Sequence, residues 1–187
     1  MLHDDSIGLL FRLFVHDIDT AYHCCRVAGM VEKMSNYMNV SASSMEIYFS
    51  AALLHDIGKS AIRSNILCAA RPLTDEERDE MKWHSVMGED LARYYHYPEE
   101  VQRLIRWHHE RLDGSGYPDG LCGDSVSQGV RLIGLCDSVD AMVGYRPYRQ
   151  SDTREACLQK LKKDAPMFDS SLVELLTEHW DEVVRPQ

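Results

Sequence analysis

Apolar residues recur along this chain three and four positions apart, the spacing of one face of an α-helix. Ile7, Leu9, Leu10, Leu13 and Phe14 fit a short amphipathic helix over 5–16. Asp17-Ile18-Asp19-Thr20 then supplies capping side chains for a second helical run through Val27, Met30, Val31 and Met34. Ser41 to Ser44 provides a break, after which Ile47, Tyr48, Ala51, Ala52, Leu53 and Leu54 predict a buried helix ending near His55-Asp56-Ile57-Gly58-Lys59. Residues 60–72 read as irregular. Thr74 with Glu77 is a capping box that starts a helix carrying His84 towards Gly88, and a further run continues to about Tyr97. Pro98-Glu99-Glu100 opens the helix that delivers His108 and His109. After a glycine-rich loop, Val126 to Val143 predicts another apolar helix, its greasy face interrupted by Asp137 and Asp140. Arg146-Pro147-Tyr148-Arg149 forms a basic turn, and two amphipathic helices near 152–163 and 170–184 finish the chain. No stretch alternates with period two long enough for a strand. The expected fold is all-α, one bundle of about seven to nine helices.

Composition narrows the class. At 187 residues the chain is long enough for one well-buried core, and 44% hydrophobic with 27% charged residues is ordinary for a globular protein. No apolar run reaches bilayer-spanning length and the first residues lack a basic signal region, so the expected compartment is the cytoplasm. A formal net charge of −10 argues against binding a nucleic-acid polymer or an anionic membrane. The six cysteines contain no CxxC pair and read as buried free thiols.

The chemistry is concentrated at helix ends. A histidine and an aspartate closing a helix as apolar as 45–54 are costly to bury without partners, and metal coordination would supply them. His108 and His109 diverge by about 100° around their helix, so both reach one centre only if other elements close around them. The candidate ligands are His23, His55, Asp56, His84, His108, His109 and Asp137, with Asp19, one helical turn before His23, as an eighth. Imidazole and carboxylate without cysteine suit iron, manganese or another borderline divalent ion. Seven ligands exceed one tetrahedral site and suffice for two ions about 3.5–4 Å apart, with Asp56 as the bridge. In the loop, Gly114 and Gly116 permit backbone geometries closed to other residues, and Pro118 stiffens the exit.

His55-Asp56-Ile57-Gly58-Lys59 together with His108-His109-Glu110-Arg111-Leu112-Asp113-Gly114-Ser115-Gly116-Tyr117-Pro118 resembles the HD-GYP group of HD metal-dependent phosphohydrolases. The similarity runs from about Asp17 to Asp169 and takes in Leu73-Thr74 with Glu77, the run Asp137 to Met142, and Arg146-Pro147-Tyr148-Arg149. The resemblance implies a helical phosphodiesterase that opens cyclic di-GMP or a related cyclic dinucleotide at a two- or three-metal centre. It matches the seven candidates to metal ligands, Lys59 to a lysine that contacts the substrate phosphate, and Tyr117, Arg146 and Arg149 to residues that grip the dinucleotide. Asp56 and Lys59 are thus the expected catalytic pair.

Two positions depart from the family pattern. Asp19 stands where many members have tyrosine and some have a glutamate associated with a third metal, so a third ion depends on the reach of a shorter carboxylate. Cys68-Ala69-Ala70-Arg71-Pro72 stands where a Lys-Pro element is usual, with Arg71 as the substitute cation. These departures leave open an alternative, a catalytically weak cyclic-dinucleotide sensor or a module that docks on a diguanylate cyclase or another signalling partner. The terminal helices offer a face for a homodimer.

Overall fold

The computed structural model describes residues 8–9, 13, 15–144 and 151–184. Every regular element among them is helical. Most of the 5–16 segment and all of residues 146–149, where a basic turn was expected, lie outside the described residues, although Leu9 and Leu13 are buried in the core.

Helix α1, Ile18–Tyr37, begins where expected, with the Asp17 carboxylate accepting from the amide of Asp19 at 3.1 Å. It packs on α2, Ala42–Leu54, whose N-cap Ser41 accepts from Ser44 N at 3.1 Å. A 3-10 turn over Ile57–Ala61 follows directly. The segment expected to be irregular contains one short helix, α3, Ser64–Leu67. Helix α4, Asp75–Lys82, carries the predicted capping box: Thr74 Oγ1 accepts from Glu77 N, and the Glu77 carboxylate accepts from Thr74 N.

The expected passage of α4 through His84 is broken at Trp83, and α5 covers His84–Tyr94. Side chains take the carbonyls at the break: His84 Nδ1 meets Met81 O at 2.7 Å and Ser85 Oγ donates to Lys82 O at 3.1 Å. Helix α6, Glu99–Trp107, buries Val101, Leu104 and Ile105. Helix α7, Gln128–Val143, is buried along most of its length. Beyond it lie α8, Arg154–Lys163, α9, Ser170–Glu178, and α10, Trp180–Val183, the last two separated by a break at His179 where one helix was expected.

Helices α1, α2, α6 and α7 enclose the core, while α5 lies across α6 and the 3-10 turn. That last packing is unusually close. A Cβ added to Gly58 would sit 1.9 Å from His84 O and 2.6 Å from Gly88 N, so two backbones touch there. The effect is to hold the end of α2 against the start of α5, which brings Asp56 beside His84. All six cysteines are unpaired, but only Cys24, Cys136 and Cys157 are buried; Cys25, Cys68 and Cys122 are exposed, against the expectation of a wholly buried set. They lie on helix flanks and in loops that face solvent.

Candidate metal centre

Three of the candidate ligands sit at helix ends, each oriented by its own helix. His55 caps α2, His84 follows α4 and His108 caps α6. Their Nδ1 atoms meet Ala52 O, Met81 O and Ile105 O at 2.7, 2.7 and 2.6 Å, each the carbonyl three residues earlier. A carbonyl only accepts, so each Nδ1 carries a proton, and the neutral tautomer this selects leaves Nε2 bare towards the interior.

Those bare nitrogens converge. His84 Nε2 lies 3.3 Å from His108 Nε2 and 3.2 Å from His109 Nε2. Asp56 Oδ1 is 3.3 Å from His84 Nε2, while its Oδ2 is 3.5 Å from His55 Nε2 and 3.8 Å from His23 Nε2. Two groups result: Asp56, His84, His108 and His109 in one, His23, His55 and Asp137 in the other. The Asp56 carboxylate faces both. Asp19 is exposed and stands outside both groups.

The donor set fits divalent cations. His55 Nε2 and Asp56 Oδ1 are buried with no hydrogen-bond partner. In their neutral states, His84 and His108 direct lone pairs at each other, and His84 directs one at a carboxylate oxygen. Such an array is repulsive until a cation lies between its members. Nitrogen and oxygen donors in these numbers suit iron, manganese or zinc more than calcium.

Electrostatics divide the histidines. Burial pushes His84 down to about 4 and holds His108 and His109 well below the ordinary imidazole range, so these three are neutral at pH 7. Burial acts on His23 in the same direction, but hydrogen bonds to Asp137 and Asp140 outweigh it and raise His23 to about 9. Burial would raise Asp56, yet the Lys59 ammonium at 2.6 Å and the surrounding imidazoles hold its carboxyl well below the usual range. A metal must therefore displace a proton from His23 and none from His84, His108 or His109. Binding of Mn(II) near pH 7.5 is expected to release about one proton through His23, with affinity rising as pH approaches 9. Calorimetry in buffers of different ionisation enthalpy measures that number, and a value near zero would show that His23 is already neutral.

Sequence reasoning missed the residues that hold the ligands in place. Asp140 accepts from His23 Nδ1 at 2.7 Å, and Arg26 grips the same carboxylate with two bonds of 2.8 Å. Asp140 was visible as a charge in an apolar helix, but its partner lies 117 residues away. Arg111 donates to His108 O, Glu110 O and Ser138 Oγ, and fills space that a Cβ on Gly134 would occupy. Cys24 Sγ lies within 4.8 Å of ligand atoms of His55 and Asp56. Burial pushes its thiol well above the ordinary range, which makes it a neutral wall of the site.

The expected substrate groups fall in different places. Lys59 Nζ pairs with Asp56 Oδ2 and is partly exposed at 22%. The Tyr117 ring lies 4.6 Å from that of His109 and 6.4 Å from that of His84. Arg71 is occupied elsewhere, in a two-bond pair with Glu77 at 2.7 Å each on the protein surface. Arg146 and Arg149 lie outside the described residues.

Known proteins resemble the chain over most of its length. A family model described as HD domain matches residues 17–172. The chain is 37% identical over 157 residues to a cyclic di-GMP phosphodiesterase response regulator of Xanthomonas campestris, an alignment covering 80% of this chain and 40% of that protein. It is 32% identical over 169 residues to 3'3'-cGAMP-specific phosphodiesterase 2 of Vibrio cholerae, covering 89% of this chain and 32% of the relative. The chain thus spans between about a third and two fifths of the length of these relatives. Among solved structures, the phosphodiesterase PgpH HD domain of Listeria monocytogenes in complex with cyclic-di-AMP superposes with a TM-score of 0.70 at 15% identity, over 96% of this chain and 98% of that one. With the family model spanning most of its length and both paired motifs intact around one buried cluster, the chain belongs to the HD domain family, in its HD-GYP group.

Proposed function

We propose that the protein is a metal-dependent phosphodiesterase that hydrolyses cyclic di-GMP, or a related cyclic dinucleotide, to the linear dinucleotide. The observation that carries this reading is the Asp56 carboxylate facing two separate groups of nitrogen and oxygen donors, one oxygen towards each. The named activities of the two curated relatives support the substrate class.

His84, His108 and His109 would hold one divalent ion, His23, His55 and Asp137 the other, and Asp56 both. When bound, iron or manganese supplies Lewis acidity and a lowered pKa for water. Lys59 keeps a positive charge beside Asp56, and from there it would face a phosphoryl oxygen and stabilise the charge that grows on it. Tyr117 presents an aromatic face next to His109, positioned to contact the dinucleotide as its phosphate reaches the cluster. Arg146 and Arg149 complete the grip on the substrate.

Protein loaded with Mn(II), or with Fe(II) under anaerobic conditions, should convert cyclic di-GMP to the linear product. Chromatography on a panel that also holds 3'3'-cGAMP and cyclic di-AMP would rank the substrates. Tight binding with no product would replace this reading with that of a sensor. Elemental analysis of the same samples should give two ions per chain, and three would bring Asp19 into the site.

A further inference from the structure

We infer that Glu110 is a positioning residue that clamps the Tyr117 loop as a fixed wall of the substrate site. The carboxylate is 2% exposed, directly after His109 in the chain. Its side chain reaches into the loop that follows. There it accepts three consecutive backbone N–H groups: Asp119 at 2.7 Å and Gly120 at 3.0 Å on Oε1, and Leu121 at 2.9 Å on Oε2.

Three further observations describe the same lock. Gly116 lies so close to the end of α6 that a Cβ there would meet Glu110 Cα at 2.4 Å and His109 O at 2.6 Å. Asp119, whose amide Glu110 holds, uses its own carboxylate to take Arg106 Nε and Nη2 and Trp107 Nε1 at 2.7–2.8 Å. Arg106 is anchored in turn to Glu89 on α5. Residues 116 to 121 are therefore fastened from within by Glu110 and from outside by Asp119. Tyr117, between these fastenings, has its ring set against His109.

A lid carries few buried backbone hydrogen bonds so that it can open, whereas here the backbone next to Tyr117 is spent on a buried carboxylate. The loop thus selects substrate by fixed shape. This inference rests on the proposed contact between Tyr117 and the dinucleotide. Under it, Glu110 acts on substrate affinity and on discrimination among cyclic dinucleotides, without touching substrate or metal.

The test is Glu110→Gln in the full chain. One amide oxygen can serve Asp119 and Gly120, but the NH2 group must then face the Leu121 N–H, donor against donor. The expected result is faster hydrogen exchange at the amides of 119–121, full metal content, KM raised about tenfold, and kcat within about twofold of the parent. The preference between cyclic di-GMP and 3'3'-cGAMP should narrow. Asp119→Ala, at a partly exposed position, opens the outer fastening alone and should move KM in the same direction if Glu110→Gln folds poorly. Unchanged exchange at 119–121 overturns the clamp. Freed amides with an unchanged KM overturn its role in recognition, and a joint fall of kcat and metal content overturns it in favour of support for His109. Absence of turnover by the parent protein would sink the phosphodiesterase reading, while the exchange measurement judges the clamp by itself.

Discussion

Asp56→Ala is expected to lose its metal and its activity together while the helices remain. The carboxylate places Oδ1 3.3 Å from His84 and Oδ2 3.5 Å from His55, so its loss removes a donor from both groups at once. Outer-sphere partners of metal ligands typically contribute 10–100-fold to affinity, and removing a shared ligand should cost at least about 100-fold. The side-chain hydrogen bond of Asp56 goes to Lys59, three residues on in the same turn, and its Oδ1 is unsatisfied, so no hydrogen bond between helices is lost with it. Circular dichroism should therefore be close to that of the parent. The parent should gain thermal stability when Mn(II) is added, as any ligand that binds the folded state alone requires, and the variant should not. Full metal content in Asp56→Ala would show that the two groups bind independently.

Gly58→Ala should damage the fold and the site at once. Its new methyl would lie 1.9 Å from His84 O, 2.8 Å from His84 C and 2.6 Å from Gly88 N, all backbone atoms that cannot rotate aside. Relief requires α5 to move away from the end of α2. Overpacking a close contact costs about 1–3 kcal/mol and occasionally more, and a backbone clash belongs at or above the upper end of that range. Because His84 is part of the obstruction, the shift also carries its Nε2 away from Asp56. Chemical denaturation should show a midpoint well below that of the parent, with weaker metal binding. Gly29→Ala is the matching control: it lies inside α1 with nothing within 4 Å of the new Cβ, and it should gain about 0.5–1 kcal/mol from helix propensity. Equal stability of the two variants would refute the packing argument.

Much of this architecture was readable because local rules and global packing agree. The capping box at Thr74, the serine at position 41 and the three-four spacing in α1 each specify a helix with their own residues, and each helix formed. The His-Asp pair stood out because two polar groups closed a run that was otherwise apolar. What stayed hidden depended on distance in sequence. Nothing near Asp140 announces that it orients His23, nor does the text around Glu110 show that its carboxylate turns back to three amides of the following loop. The break at Trp83 was hidden for another reason: residues 75–94 have no proline, and the interruption comes from side chains that take backbone carbonyls. Arg71 is a basic residue in a suggestive place whose geometry gives it to Glu77 instead.

The bonds from three histidines to carbonyls three residues earlier give each of these donors a self-contained setting. Ala52, Met81 and Ile105 are each among the last four residues of a helix, where intrahelical donors run out. One proton on Nδ1 thus finishes a helix and selects the tautomer that leaves Nε2 open. The instructions for aiming each ring are written in four consecutive residues and need no distant carboxylate, in contrast to His23. Such a unit is portable: grafted onto the C-terminal turn of any helix pointing at a common centre, it would bring its own aim with it.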